Sequence, residues 1–301
     1  MLGTRPVLAA VLGAGVIAFS GILVRLADVS PETAAVFRCA WALPVLGALA
    51  WWERRRFGPR PARERALAAV AGVMFAADLI FWHRSIADVG AGLATVLGNL
   101  QVVLVAFVAW AVLGERPGAR VIGAVPVVFV GAVMISGLLE DGAYGDDPVR
   151  GTVYGLLTSI AYSGFILVLR HSNADIRRPA GPLFDATAVA AVVAAAAGAS
   201  YGAVDLVPSW PAHGWLVLLA LSSQVAGWLL ISISLPRLPA ALTSVILLLQ
   251  PVSAVALAAV LIDEDPSVLQ IAGVGVILAG VVWATRDARA TAAPVSAPPA
   301  A

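Results

Sequence analysis

Of the 301 residues, 60% are apolar and 12% charged, with a mean hydropathy of +0.93. A soluble domain carries roughly a quarter charged residues, so this composition is that of a chain embedded in lipid. The formal net charge of +1 argues against a nucleic-acid partner, and the single cysteine, Cys39, excludes a disulfide and a cysteine-based metal site.

Cutting the chain at its charges and turns leaves ten apolar stretches: 7–24, 31–52, 66–86, 91–113, 118–139, 151–170, 182–203, 213–235, 238–262 and 267–285. Each is close to the ~20 residues a helix needs to cross a bilayer. The runs are unbroken, without the alternation of a barrel strand, so each is expected to be a helix. The first, with Arg5 ahead of small apolar residues, imitates a secretory leader. Its Ala18-Phe19-Ser20-Gly21 returns as Ala161-Tyr162-Ser163-Gly164, however, so it is expected to be a retained helix. The second opens at Ser30-Pro31-Glu32, a sequence suited to a helix N-terminus, and carries Arg38 about two turns in. A basic connection, Glu53 to Arg65, leads to the third, which carries Asp78 and ends in Trp82-His83-Arg84, a cluster suited to a membrane interface.

The fourth and fifth stretches, Ala91 to Ile135, align without a gap on Ala240 to Ala284, with about a third of positions identical. Gln101, Glu115, Pro117 and Gly131 meet Gln250, Glu264, Pro266 and Gly280. Apolar bias alone would not place a Gln and a Glu at the same spacing twice, so the chain is an internal duplication. In the sixth stretch Gly151 and Gly155 form a small-xxx-small pair for close helix packing. The seventh holds Asp185 and the eighth Gln224.

All basic residues are Arg, which with abundant Ala, Gly, Val and Pro suggests a GC-rich bacterial genome. Apart from Arg25, Arg84, Arg150 and the intramembrane Arg38, they fall in the termini and the even-numbered connections, which the positive-inside rule assigns to the cytoplasm. The expected fold is all-α and integral to the membrane: ten helices as two inverted five-helix repeats, 1–140 and 151–286. An external linker at 141–150 joins them, and a disordered Ala/Pro-rich cytoplasmic tail fills 287–301. Five spans per repeat is an odd number, so the second repeat enters the membrane upside down. The expected location is the bacterial inner membrane with both termini cytoplasmic.

Polar residues inside the apolar stretches are the functional candidates, each beside a plainer reading. Gln101 and Gln250, at matching depth, could meet a substrate from either repeat or could bond neighbouring helices. Pro251 frees the carbonyl of Leu247 and is expected to break its helix; Asn99 is a weaker candidate. Arg38, Asp78 and Asp185 need a partner or a wet cavity. Because Phe37-Arg38 and Phe184-Asp185 occupy similar places in the two repeats, an Arg38–Asp185 ion pair is expected, unless both reach the interface instead. Asp78 is the candidate proton-coupling carboxylate, or a structural hydrogen-bonding group. Ser20, Tyr162 and Ser163 could line a cavity, together with Gln224, or let helices approach. Glu115 and Glu264 are expected to cap their own hairpins, with gating as the alternative. No catalytic arrangement, metal site or phosphate-binding loop emerges.

The hairpins Leu113-Gly114-Glu115-Arg116-Pro117 and Ile262-Asp263-Glu264-Asp265-Pro266 resemble those of the drug/metabolite transporter superfamily, in particular its EamA-type ten-helix bacterial members. So do the run from Leu238 to Val252 and Gln224-Val-Ala-Gly-Trp228 ahead of it. The second hairpin departs from the usual Gly-Glu-Arg. The resemblance implies a 5+5 bundle around a central cavity, the fifth and tenth helices peripheral, and alternating access without ATP. On this reading the chain is no enzyme and needs no cofactor. It is a secondary transporter, an exporter of a small polar or amphipathic metabolite with amino-acid-like compounds as the first guess, coupled to protons through Asp78 and acting as a monomer or homodimer. The alternatives are an intramembrane enzyme acting on a lipid-linked substrate and a membrane scaffold.

Overall fold

The computed structural model describes residues 6–114, 116–172, 175, 177–200, 202–234, 238 and 246–285. Glu115, most of 235–245 and the 287–301 tail, all named above, lie outside them. Every regular element among the described residues is helical: α1 (Pro6–Ala18), α2 (Ser20–Ala27), α3 (Pro31–Phe57), α4 (Ala62–Val89), α5 (Ala91–Gly98), α6 (Gln101–Leu113) and α7 (Ala119–Ile135) come first. Then follow α8 (Pro148–His171), α9 (Ala180–Ser200), α10 (Ala212–Leu219), a π-helical segment (Ala220–Gly227), α11 (Trp228–Ser234), α12 (Leu249–Leu261) and α13 (Val268–Thr285). Among the described residues seven helical stretches are long and apolar enough to span a membrane: Pro6–Ala27, Pro31–Phe57, Ala62–Val89, Ala91–Val108, Pro148–His171, Ala180–Ser200 and Ala212–Ser234. The apolar helices Ala119–Ile135, Leu249–Leu261 and Val268–Ala284 are shorter.

The helix ends follow local chemistry. Ser30 caps α3 by accepting from the Thr33 N–H at 3.2 Å, with Pro31 behind it, and Asp147 caps α8 by accepting from the Arg150 N–H at 3.0 Å. Large apolar side chains such as Phe129, Val192 and Val260 stay exposed on the outside, where lipid replaces water. Glycines let the helices approach inside. A Cβ on Gly151 would come within 2.7 Å of Val89, and one on Gly155 within 2.6 Å of Leu97, so α8 seats against α4 and α5 as its small residues predict. Gly131 and Gly280, equivalent in the two repeats, do the same between α7 and α13: a Cβ would meet Ile277 at 2.6 Å and Val128 at 2.8 Å.

Among the described residues four of the expected helices are interrupted or distorted. The first breaks at Phe19 and the fourth at Asn99–Leu100, and the eighth passes through the π segment. At the second of these points the Asn99 side chain donates to the Thr95 carbonyl at 2.8 Å and competes with the helical ladder. A turn recurs at Leu248, the repeat equivalent of Asn99. Pro251 is therefore not the break. It falls in the first turn of α12, where its missing N–H has little consequence, and the interruption precedes it.

Buried acids, paired with half-exposed arginines or with helix N–H groups, tie the helix ends together. Where α4 meets α5, Arg84 pairs with Glu32, Nη2–Oε1 2.5 Å, and Arg150 grips Asp88 through Nε and Nη2 at 2.8 and 2.6 Å. Glu264 accepts from the N–H groups of Ala91 and Gly92 at 2.5 and 3.0 Å. It thus caps α5 in the other repeat and not its own hairpin, since the four orphan N–H groups of a helix start draw a carboxylate from any direction. Burial pushes the Glu264 carboxyl above the usual range, against the two N–H donors, which pull it down. At the opposite end Glu53 holds α9 in the same way, accepting from Ala180 and Gly181 at 2.9 and 2.8 Å.

Candidate functional site

A cavity of about 70 Å³ lies inside the bundle, bounded by both repeats. Its polar wall is Ser20 at the start of α2, Arg38 from α3, Asp78 from α4, Thr95 and Asn99 around the break after α5, and Gln250 from α12. Thr158 and Tyr162 of α8 join them. Aromatic rings close the rest: Phe75 is stacked on Phe165 with centroids 4.5 Å apart, Trp228 stands edge-on to Tyr162 at 6.0 Å, and Trp82 faces Arg38. The volume suits a few waters, so a metabolite enters only if the walls separate.

Two opposite charges share this space. Arg38 is 4% exposed and Asp78 7%, both deep in the fold. The Arg38 guanidinium lies over the Trp82 ring, 5.6 Å from its centroid, a cation–π arrangement. Its Nε donates to Gln224 Oε1 at 3.2 Å, and Gln224 Nε2 donates to Thr187 Oγ1 at 3.1 Å. Gln224 is thus fully buried behind Arg38, both ends of its amide engaged, and orients the guanidinium from outside the cavity wall. It sits in the π-helical segment, a distortion that often marks functional positions. Arg38 and Asp78 make no direct ion pair among the described residues, and the Asp78 carboxylate has no hydrogen-bond partner there. Each therefore keeps bonding capacity for something in the cavity.

Several sequence expectations need correcting here. Arg38 does not pair with Asp185. Asp185 lies near the start of α9, toward one end of the bundle, and accepts from Arg60 Nη1 at 2.8 Å. Gln101 is buried but lies outside the cavity wall, because the helix is not continuous at Asn99–Leu100 and Asn99 takes the position in the lining. Ser163 also lies outside it, with its hydroxyl bonded to the Ser159 carbonyl at 2.7 Å and near the Gln101 carbonyl at 3.4 Å. Ser20, Asn99, Tyr162, Gln250, Arg38 and Asp78 are brought together. Trp82-His83-Arg84 does not end its helix at an interface: α4 runs on to Val89, Trp82 lines the cavity and His83 Nδ1 lies 3.0 Å from the Pro31 carbonyl. Sequence reasoning passed over Thr95, Thr158 and Trp228. Trp228, one turn beyond Gln224, carried a signal in that spacing; the two threonines carried none.

The profile of the EamA-like transporter family matches residues 4–137 and again 149–286. The chain belongs to the EamA-like transporter family. It is therefore a multi-pass membrane protein of the drug/metabolite transporter superfamily, with two EamA repeats. A solved structure titled only as a crystal structure of a protein is similar along 96% of this chain and 98% of its own, at 18% identity and a TM-score of 0.60, which speaks for the fold alone. No curated protein matched the EamA chain.

Proposed function

We propose that this EamA protein is a secondary active exporter of amino-acid-like metabolites, working by alternating access. The observation that carries the proposal is the pairing of Arg38 and Asp78 in one cavity without a bond between them. A zwitterion presents a carboxylate for the guanidinium and an ammonium for the aspartate, and each buried charge then gains a partner. Ser20, Asn99 and Gln250 supply neutral hydrogen bonds beside them, and Tyr162, Trp82 and Trp228 give the side chain an aromatic wall. Such a mix of aromatic walls and a few placed polar groups is what small-molecule sites use.

In this reading the ten apolar stretches form two inverted five-helix repeats, and the halves rock about the cavity to open it to either face. The interruptions at Asn99 and Leu248 lie where transporters of this kind use broken helices to free backbone groups. Both termini are cytoplasmic, the membrane is the bacterial inner membrane, and the working unit is a monomer or homodimer. When the substrate ammonium leaves Asp78, the carboxylate takes a proton for the return step, which couples export to the proton gradient.

A thermal-shift panel on purified protein tests the proposal. Free α-amino acids should stabilise the protein, while their N-acetyl and methyl-ester derivatives, each lacking one charge, should not. Equal stabilisation by the blocked derivatives would sink the zwitterion reading. In proteoliposomes Asp78→Asn should lose both the response to an imposed pH gradient and most of the affinity for α-amino acids, because the same carboxylate takes the ammonium and the proton.

A further inference from the structure

A second cavity, of about 260 Å³, opens at the end of the bundle where α3 gives way to α4 and α9 begins. Arg54, Arg60, Arg65 and Arg178 line it, with Glu53 and Asp185 as the acids. Both acids are already engaged: Glu53 accepts the Ala180 and Gly181 N–H groups, and Asp185 accepts from Arg60 Nη1. The arginines are unequally used. Arg60 is engaged throughout: Nη1 donates to Asp185, Nη2 donates to the Ser172 carbonyl at 3.1 Å, and Nε, without a hydrogen bond, lies 3.7 Å from the Glu64 carboxylate. Arg178 donates through Nε to Asp175 and through Nη1 to the Gly58 carbonyl, which leaves its other terminal nitrogen. Arg65 approaches Asp185 at 3.9 Å, and the Arg54 side chain is exposed, its backbone carbonyl accepting from the Gly58 N–H at 3.0 Å. Four guanidinium groups and two acids line the cavity, and Glu64 and Asp175 beside it pair with Arg60 and Arg178, so Arg54 and Arg65 are the cations left facing it.

The position of the cavity narrows what could fill it. Trp51 forms part of its wall and is 60% exposed, with the Arg55 guanidinium 4.9 Å from its ring centroid; Trp52 beside it is 50% exposed. Exposed tryptophans among arginines at a helix end mark headgroup depth. We propose that this cavity binds a phosphate-bearing anion, supplied by the headgroup of an anionic phospholipid or by free phosphate. Planar guanidinium groups match phosphate oxygens two at a time, and basic pockets between membrane helices take lipid headgroups. A phosphate here bridges α3 and α4 to the loop before α9, and so ties the first repeat to the second at this end of the bundle.

Native mass spectrometry of the full chain in neutral detergent tests this with phosphatidylglycerol and phosphatidylcholine as probes. The wild type should retain phosphatidylglycerol preferentially, and Arg54→Ala/Arg65→Ala should lower that preference by about fivefold for each arginine removed. Both side chains are exposed, and Arg54→Lys/Arg65→Lys, which keeps the charge, should recover most of the preference in a folded protein. Millimolar inorganic phosphate separates the sources. If it displaces the lipid and raises the melting temperature of the wild type but not of the alanine variant, the site is one for free phosphate; if lipid stays bound, the headgroup is the ligand. Phosphatidylglycerol retained no better than phosphatidylcholine with no shift by phosphate, or retention equal in wild type and alanine variant, would overturn the proposal.

Discussion

The two repeats are alike in sequence and unlike in what they give the cavity. Ser20 lines it, whereas its counterpart Ser163 bonds to backbone carbonyls outside it. Tyr162 lines it, and the matching Phe19 is 41% exposed on the outer surface. Arg38, Asn99 and Gln250 are in the wall; Asp185, Leu248 and Gln101 are not. Where the repeats do behave alike is in the scaffold: the helix interruption recurs at equivalent positions, and Gly131 and Gly280 both let α7 and α13 close on each other. Duplication preserved the packing, and the site drew one member from each of these pairs. A zwitterion has two unlike ends, which a symmetric pair of side chains would not distinguish.

The sharpest way to break this comparison is at the charged pair. Arg38→Ala should lower transport on the order of 100-fold, since truncating a buried charge contact typically costs 2–5 kcal/mol; a rate assay at matched membrane levels measures it. Next, Gln250→Ala should lower apparent substrate affinity roughly tenfold while Gln101→Ala stays within about threefold, the scale of one lost hydrogen bond against none. Equal effects from both would restore the symmetric site that the sequence suggests. On the scaffold the repeats should respond together: Gly131→Ala and Gly280→Ala should each destabilise by about 1–3 kcal/mol, because each new Cβ meets a neighbour that must move, read as matching falls in melting temperature. The smallest effect belongs to Pro251→Ala, expected within ~0.5 kcal/mol and with transport intact, because the first turn of α12 does not depend on a proline.

Much of the scaffold was legible because membrane helices announce themselves by composition and the repeat by exact spacing. The glycine pairs were legible for the same reason, since small residues at helical intervals have one main use in lipid. The site was legible only as a set of polar residues in apolar surroundings. Which of them converge depends on helix rotation and on local breaks, and the break that recurs at Asn99 and Leu248 falls at two unlike side chains, so spacing does not reveal it. Glu264 was visible in its hairpin, but its partner lies 173 residues away at Ala91, and a carboxylate reaching a distant helix start leaves no mark in the sequence around it. Repeat symmetry points Asp185 at Arg38, whereas its partner Arg60 lies in the basic connection, outside the apolar stretches that the repeat compares.

The most direct test of the zwitterion site is metabolite profiling of the medium from cells expressing the wild type or Arg38→Ala at matched membrane levels. The wild type should enrich outside at least one compound bearing both an amino and a carboxylate group, and that enrichment should vanish with Arg38→Ala. Export of compounds without that pair of charges, or an Arg38→Ala profile indistinguishable from an active wild type, would contradict the account.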